Sequence, residues 1–240
     1  MFDDVPVLCG HRGAGSGAGE NTLGSFRAAV AAGLPWVEVD ARLTADGELV
    51  ALHDPNVADG RELAGLTAAE AGLMRVADLL DDLPPQIGVD VEIKTAIEDA
   101  LRPRGETTAA RVAELAAAHA GRRRLLVTSF DPGALPIVRE HAPAVATGLI
   151  TWRGYPLRKA IPAAVHLGAD VVVAEVESFE PGSLDRSIAI AHAAGLQVAA
   201  WCPAPAAVEL LVAAGVDCLV VDAFGAGEAE QARVRSTRGS

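Results

Sequence analysis

Cysteine is scarce in this sequence of 240 residues, with only Cys9, Cys202 and Cys218 present. They are odd in number and far apart, so neither a disulfide framework nor a zinc-binding spacing is available. A reducing, cytoplasmic setting is the expectation. Aromatic residues make up 4% of the chain, so its core must be built from Ala, Val, Leu and Ile. Positive charge is also in deficit: Lys and Arg number 20 against 32 Asp and Glu, a formal net charge of −12. A partner for a nucleic-acid backbone needs a basic face, so nucleic acid is excluded as an expected ligand. Apolar stretches are broken by charge or proline before they reach the ~18 residues of a membrane span. The acidic start Met1-Phe2-Asp3-Asp4 lacks the basic-then-apolar pattern of an export signal. No basic amphipathic stretch or lipidation motif suggests a membrane anchor. Nothing in the pattern sets an oligomeric state.

What is present is a large apolar fraction, 50% of residues, arranged with a rhythm. Short Val/Leu/Ile runs alternate with Ala-rich helical stretches. Strands are predicted at 5–9, 36–43, 89–93, 125–128, 145–150, 170–174, 197–201 and 218–221. A further run at 48–52 follows the turn Asp46-Gly47 and is expected to pair with the extension of the second strand. Four helices end in the same way, at Ala32-Gly33, Leu167-Gly168, Ala194-Gly195 and Ala214-Gly215, each followed by an apolar strand. Glycine accepts the left-handed cap such an ending needs. Repeated units of this kind with short links imply a parallel sheet. Eight of them in one chain predict a closed (β/α)8 TIM barrel, with an open doubly wound sheet as the competing arrangement. The barrel is expected to be a single domain over 1–224. A short insertion follows strand two, with helices near 67–73 and 76–80. A Gly-, Ser- and Arg-rich tail, 225–240, is expected to fray.

Polar residues gather where the predicted strands end. Glu38 and Asp40 alternate with Val37 and Val39, so both carboxylates point to one face. Glu92 and Lys94 share a face on the next strand. Three converging carboxylates without a thiol make a hard oxygen site, suited to a divalent metal such as Mg²⁺ or Ca²⁺. The plainer reading of Glu38 and Asp40 is an ion pair with Arg42. His11 and His53 also fall at strand ends, and imidazole can take or give a proton near neutral pH. His119, His141, His166 and His192 lie in helical stretches and read as surface or packing residues. Arg12 and Lys94 supply the local positive charge that a phosphate group would need on so acidic a chain. The segment Gly13-Ala14-Gly15-Ser16-Gly17-Ala18-Gly19 has the composition of a loop whose amides approach an anion, but also that of any flexible turn. Trp201 ends strand seven on the same side and offers a flat apolar wall to a carbon skeleton.

Taken in order, His11-Arg12-Gly13, Glu20-Asn21-Thr22, Val37-Glu38-Val39-Asp40, His53-Asp54 and Val91-Glu92-Ile93-Lys94 resemble the signature of the glycerophosphodiester phosphodiesterase family. Ser129-Phe130 and Gly215-Val216-Asp217 leading to Asp222 extend the likeness over most of the chain. The resemblance implies a TIM barrel that cleaves glycerophosphodiesters to sn-glycerol 3-phosphate and an alcohol. It implies a metal on Glu38, Asp40 and Glu92, an acid–base pair in His11 and His53, and a phosphate held by Arg12 and Lys94. Glu20 and Asn21 would anchor the first loop, with Asp54 supporting His53. The related outcomes are a lysophospholipase D-like reaction and a cyclic-phosphate product from the same residues. A non-catalytic phosphate-ligand binder is the alternative of a different class. The sequence departs from the family pattern at Gly19, at Pro55-Asn56-Val57-Ala58-Asp59-Gly60, at Trp201-Cys202-Pro203-Ala204 and at Val221-Asp222-Ala223-Phe224. The departures fall on the groups expected to recognise the alcohol.

Overall fold

The computed structural model describes residues 1–3, 5–15, 19–180 and 182–222. The expected tail at 225–240, and Ser16, Gly17 and Ala18 of the first loop, lie outside the described residues. Eight parallel strands form a closed ring: β1 (Val7–Gly10), β2 (Trp36–Leu43), β4 (Gly88–Ile93), β5 (Leu125–Ser129), β6 (Ala146–Ile150), β7 (Val171–Glu175), β8 (Gln197–Trp201) and β9 (Cys218–Val221). The ring closes where β1 pairs with β9 on one side and with β2 on the other, through Cys9↔Trp36 and Gly10↔Val37. That second pairing rules out the open sheet. Every predicted strand is present within two residues of its expected bounds.

Helices α1 (Leu23–Ala31), α4 (Thr108–His119), α5 (Ala134–His141), α6 (Leu157–Leu167), α7 (Leu184–Ala193) and α8 (Pro205–Ala213) lie between successive barrel strands. Thr22 caps α1, its hydroxyl accepting from the Ser25 amide at 3.2 Å. The four glycines of the repeat, Gly33, Gly168, Gly195 and Gly215, all hold positive φ, between 68° and 90°. The repeated ending therefore reflects the same left-handed turn into the next strand.

The insertion after β2 begins with β3 (Leu49–Ala51), antiparallel to β2 through Ala41↔Ala51 and Leu43↔Leu49. Two short helices follow, α2 (Ala68–Ala71) and α3 (Val76–Asp82). Val50, Val57, Leu63 and Leu66 give this segment a small apolar cluster of its own. α3 instead joins the main core through Val76, Leu79 and Leu80.

The period-two alternation of the strands sorts side chains into two layers. On β2 and β4, Val37, Val39, Val89, Val91 and Ile93 face the helices and merge into one outer core. Inside the ring, Cys9, Trp36, Leu126, Val171, Val173 and Cys218 form a separate apolar plug. Phe2 packs edge-on against Trp36 with centroids 5.1 Å apart. On the same inward face Glu38, Asp40, Asp90 and Glu92 are buried acids. The interior is thus apolar in one part and acidic in another, and the acidic part opens to the ends of the strands.

Candidate active site

Strand register brings the acids together. β2 pairs with β4 so that Glu38 lies beside Asp90 and Asp40 beside Glu92. Oxygens of Glu38, Asp40 and Glu92 all lie within 4.8 Å of one another, and all three residues are buried. Lys94, next along the same face of β4, ion-pairs with Glu92 and lies 3.0 Å from Asp40 Oδ1. Arg12 Nε lies 3.2 Å from Asp40 Oδ2, and its Nη1 donates to both oxygens of Glu20 at 2.9 Å. The Arg12 amide donates to Glu38 Oε2 at 2.9 Å. Asn21 Nδ2 donates to Asp40 Oδ2 at 2.8 Å, and its own amide donates to the Arg12 carbonyl. Glu20 and Asn21 thus tie the first loop to the acidic cluster. Arg12, Asn21 and Cys202 all adopt positive φ, at 51°, 56° and 46°. Such strain in side-chain-bearing residues gathers where surrounding structure over-determines them, and here it gathers around the mouth.

The acids are short of positive charge. Burial, with Asp40, Glu92 and Asp90 nearby, pushes the Glu38 carboxyl well above the usual range. Burial likewise raises Glu92 in spite of Lys94, and raises Asp90 to about 8. For Asp40, burial is outweighed by Lys94, Asn21 and Arg12, which hold it below the usual value. Burial works against the Lys94 ammonium, but Glu92 and Asp40 overcome it and raise its pKa. One carboxylate oxygen of the cluster, the buried Glu38 Oε1, lacks any hydrogen-bond partner among the described residues, whereas Asp40 Oδ1 faces the Lys94 ammonium at 3.0 Å. An all-oxygen donor set with an orphaned buried carboxylate oxygen fits a hard divalent cation.

Both histidines line the same cavity, whose volume is about 580 Å³. His11 is held at Nδ1 by Asp222, at 2.5 Å, while its Nε2 lies 3.9 Å from Glu38 Oε2. His53 Nδ1 meets Asp54 Oδ1 at 2.8 Å. The alternative reading, Glu38 and Asp40 ion-paired with Arg42, is not what forms among the described residues: Arg42 donates through Nε and Nη2 to the His53 carbonyl, at 2.9 and 2.6 Å. The other predicted packing histidines include His119, buried against the Leu115 carbonyl, and His192, 2.9 Å from Asp217.

The opposite wall is aromatic. Phe130 stacks at a tilt on Trp152, centroids 4.5 Å apart, and meets Trp201 edge-on at 6.2 Å. Lys94 Nζ sits 5.7 Å from the Phe130 centroid, linking the two walls. Trp201 lines the cavity. Asp90 and Trp152 line the cavity although the sequence reading does not name them, and Asp222, named there only within the family likeness, is the partner of His11. Asp90 is legible in principle, since it shares the two-residue alternation of Glu92 and Lys94. Trp152 carries no signal beyond its place after a strand.

Two amides of the first loop are taken up by protein atoms. Gly13 N donates to the Gly10 carbonyl and Ala14 N to Ser25 Oγ. A Cβ on Gly13 would fall 2.5 Å from Ser25 Oγ, and one on Gly15 only 1.8 Å from the Asp222 carbonyl oxygen. These glycines admit neighbouring protein atoms at close range.

Comparison with known proteins places this geometry. The family model described as "Glycerophosphoryl diester phosphodiesterase family" matches residues 11–226. A Mycobacterium tuberculosis protein named "Probable glycerophosphodiester phosphodiesterase 2" is 29% identical, over 84% of this chain and 81% of its own length. The crystal structure of an Oleispira antarctica phosphodiesterase in complex with the product sn-glycerol-3-phosphate superposes with a TM-score of 0.79. It is 24% identical and is matched over 95% of this chain and 96% of its own. The Thermotoga maritima glycerophosphodiester phosphodiesterase gives a TM-score of 0.74 at 20% identity, over 90% and 94% of the two chains. The acidic cluster, the two histidines and the barrel that holds them are thus features of a chain that belongs to the glycerophosphoryl diester phosphodiesterase family and is an enzyme of that class.

Proposed function

We propose that this enzyme hydrolyses glycerophosphodiesters to sn-glycerol 3-phosphate and an alcohol at the cavity lined by His11, His53 and the acidic cluster. The observation that carries the reading is the convergence of Glu38, Asp40 and Glu92, buried and within 4.8 Å, with Glu38 Oε1 lacking any partner. These three residues would hold a divalent cation, Mg²⁺ or Ca²⁺. The cation would supply Lewis-acid stabilisation of charge on phosphate and leaving oxygens. Arg12 and Lys94 bring the fixed positive charge for the phosphate, and Lys94 bridges toward the aromatic wall. One imidazole takes the proton of the attacking hydroxyl or water as its oxygen bonds to phosphorus. The other gives a proton to the departing alkoxide as the phosphorus–oxygen bond to the alcohol breaks. Asp54 steadies His53 through Nδ1. Trp201, with Phe130 and Trp152, forms the wall against which the substrate's carbon skeleton lies.

The product in the Oleispira antarctica structure supports sn-glycerol 3-phosphate as the released phosphate. A simple phosphate-binding role leaves two imidazoles beside the carboxylates without a task. Among the described residues, no helix is long and apolar enough to cross a membrane. The free Cys9, Cys202 and Cys218 fit a cytoplasmic setting, and the product bound in the Oleispira antarctica structure fits a small-molecule substrate.

The test is turnover of glycerophosphodiesters and lysophospholipids with identification of both products. Release of glycerol 3-phosphate and free alcohol that stops in excess chelator and returns with Mg²⁺ or Ca²⁺ is expected. A cyclic phosphate as the end product would move the chain to the lyase-like outcome. Full turnover with no bound metal would remove the cation from the reading.

A further inference from the structure

The two histidines of the site are held in different ways. Among the described residues, the His53 ring is bound by Asp54, its neighbour in sequence, whose side chain is 75% exposed. His11 is 16% exposed and is gripped from across the barrel closure. Its Nδ1 lies 2.5 Å from Asp222 Oδ1 and 3.4 Å from Cys202 Sγ. Its amide donates to the Val221 carbonyl at 3.0 Å. Asp222 follows β9, Cys202 follows β8 and His11 follows β1, three adjacent strands of the ring. The Cys202 amide donates to the Val220 carbonyl at 2.8 Å, and its backbone takes a positive φ of 46° to bring the thiol in. On the other side, Gly15 leaves room for the Asp222 backbone, where any Cβ would stand 1.8 Å from its carbonyl oxygen. A surface ion pair at a rim would need neither the strained cysteine nor the bare glycine.

We propose that Asp222 is the positioning residue of His11, fixing the tautomer with the proton on Nδ1 and the lone pair of Nε2 turned toward the acidic cluster, and that Cys202 and Gly15 hold Asp222 in place. This rests on the proposed reaction only in the role His11 plays in it. The physical argument is one of donor and acceptor count. An ionised carboxylate only accepts, so the ring nitrogen facing it must carry the hydrogen. The other nitrogen is then free to take a proton from the reacting group. The hydrogen bond from His11, together with that from Cys202, outweighs partial burial and brings the Asp222 carboxyl down to about 2. It remains an acceptor wherever a neutral imidazole is present. Burial and the Asp222 carboxylate together raise the Cys202 pKa, so the sulfur stays a thiol and donates. Nε2, 3.9 Å from Glu38 Oε2, then addresses the cavity.

The variant that tests this is Asp222→Asn, which keeps the shape but presents an amide that can donate to Nδ1. Nitrogen-15 NMR of the histidine rings reads the His11 tautomer in the absence of substrate, and kinetics are measured on the same samples. In the parent enzyme His11 is expected with Nδ1 protonated. In Asp222→Asn the proton is expected to move to Nε2, with kcat lower by about 10²-fold and KM changed by less than about twofold. Asp222→Glu should recover part of both signals. Cys202→Ala should give a smaller loss than Asp222→Asn, with Cys202→Ser closer to the parent. Asp222→Asn with the parent tautomer, or with the tautomer moved and kcat unchanged, would overturn the assignment. Because the NMR signal needs no turnover, a parent enzyme inactive on diesters would count against the proposed function and leave the tautomer result to decide the role of Asp222.

Discussion

The two sides of the barrel mouth follow opposite building rules. On the side of β1, β2 and β4, nearly every polar atom is held by several others: Asp40 alone is met by Arg12, Asn21 and Lys94. On the side of β5, β6 and β8, Phe130 meets both Trp152 and Trp201 by ring contact, Phe130 and Trp201 rest on the apolar plug, and Trp152 is 69% exposed. Phosphoryl chemistry loses rate when groups move by a fraction of an ångström, so its groups need many restraints. A wall for a carbon skeleton tolerates movement, because apolar contact is non-directional. On the proposed function, rate belongs to the charged side and choice of alcohol to the aromatic side.

The sharpest way to break that assignment is to remove the imidazoles. His11→Ala and His53→Ala are each expected to lower kcat by about 10²-fold or more, the scale of a lost acid or base. A substrate whose leaving group has a low pKa should partly rescue the variant that lacks the acid. If both variants keep near-parental kcat on a natural diester, rate does not reside on the charged side.

Next come the cations. Lys94→Ala and Arg12→Ala are expected to lower kcat/KM by about 10- to 10²-fold, since each removes a charge near the phosphate. Lys94 differs in a second respect. It lies between Asp40 and Glu92 with its side chain 11% exposed, so its loss leaves buried Glu92 without its ion-pair partner and Asp40 with Arg12 as its remaining cation. Breaking such a pair costs about 3–5 kcal/mol. A divalent cation should offset much of this. Thermal melts should therefore show a larger Mg²⁺- or Ca²⁺-induced rise in Tm for Lys94→Ala than for the parent. Equal rises in the two proteins would separate Lys94 from the cation site.

The same contrast explains which parts of the molecule are legible in its sequence. The charged side is legible because alternation along single strands, Glu38 with Asp40 and Glu92 with Lys94, sets a common face without tertiary information. The strand ends of His11 and His53 follow from hydrophobic rhythm alone. The aromatic side draws one residue from each of several loops, and nothing in a sequence says that Phe130 will meet Trp152. Asp222 is visible only as the end of a strand. Its pairing with His11 depends on ring closure between β9 and β1, a contact between residues separated by 211 positions. The partner of Arg42 is not legible either, because a strand position fixes direction, not which of two acceptors along the strand a long side chain will reach.

A prediction on stability tests how costly the acidic interior is. Asp90 is buried beside Glu92, accepts from Thr128 Oγ1 at 2.8 Å, and has its pKa raised by burial to about 8. Unfolded, it titrates near 3.8. Between these values the folded chain holds a proton that the unfolded chain releases. The contribution of Asp90 is therefore fully present below about pH 4 and is lost as pH rises toward 8. Asp90→Asn keeps a neutral acceptor for Thr128 and cannot ionise. Measured in chelator, its stability relative to the parent should improve by about 2–5 kcal/mol from pH 4 to pH 8. A constant difference across that range would mean that Asp90 is already charged and paired in the folded state.

The smallest effect is expected on the aromatic side, and it bears most directly on substrate choice. Trp201 lines the cavity and meets Phe130 edge-on, but its indole Nε1 has no hydrogen-bond partner among the described residues. A tryptophan placed there for packing alone would bury its ring in the plug of Leu126, Val171 and Val173, and Trp201 is only partly buried against that plug. As a wall, it contributes contact with the alcohol or glycerol skeleton worth about 0.5–1.5 kcal/mol. Trp201→Ala should then raise KM for glycerophosphodiesters by about 3- to 10-fold, with kcat nearly unchanged and little effect on a small artificial diester lacking glycerol. A choline headgroup should feel the loss more than an ethanolamine one if its cation lies over the indole face. Partial burial limits the stability cost to about 1–3 kcal/mol. Equal kinetic losses on the natural and artificial diesters, with a stability loss at or above that range, would show Trp201 to be a packing residue and would leave the choice of alcohol to Phe130 and Trp152.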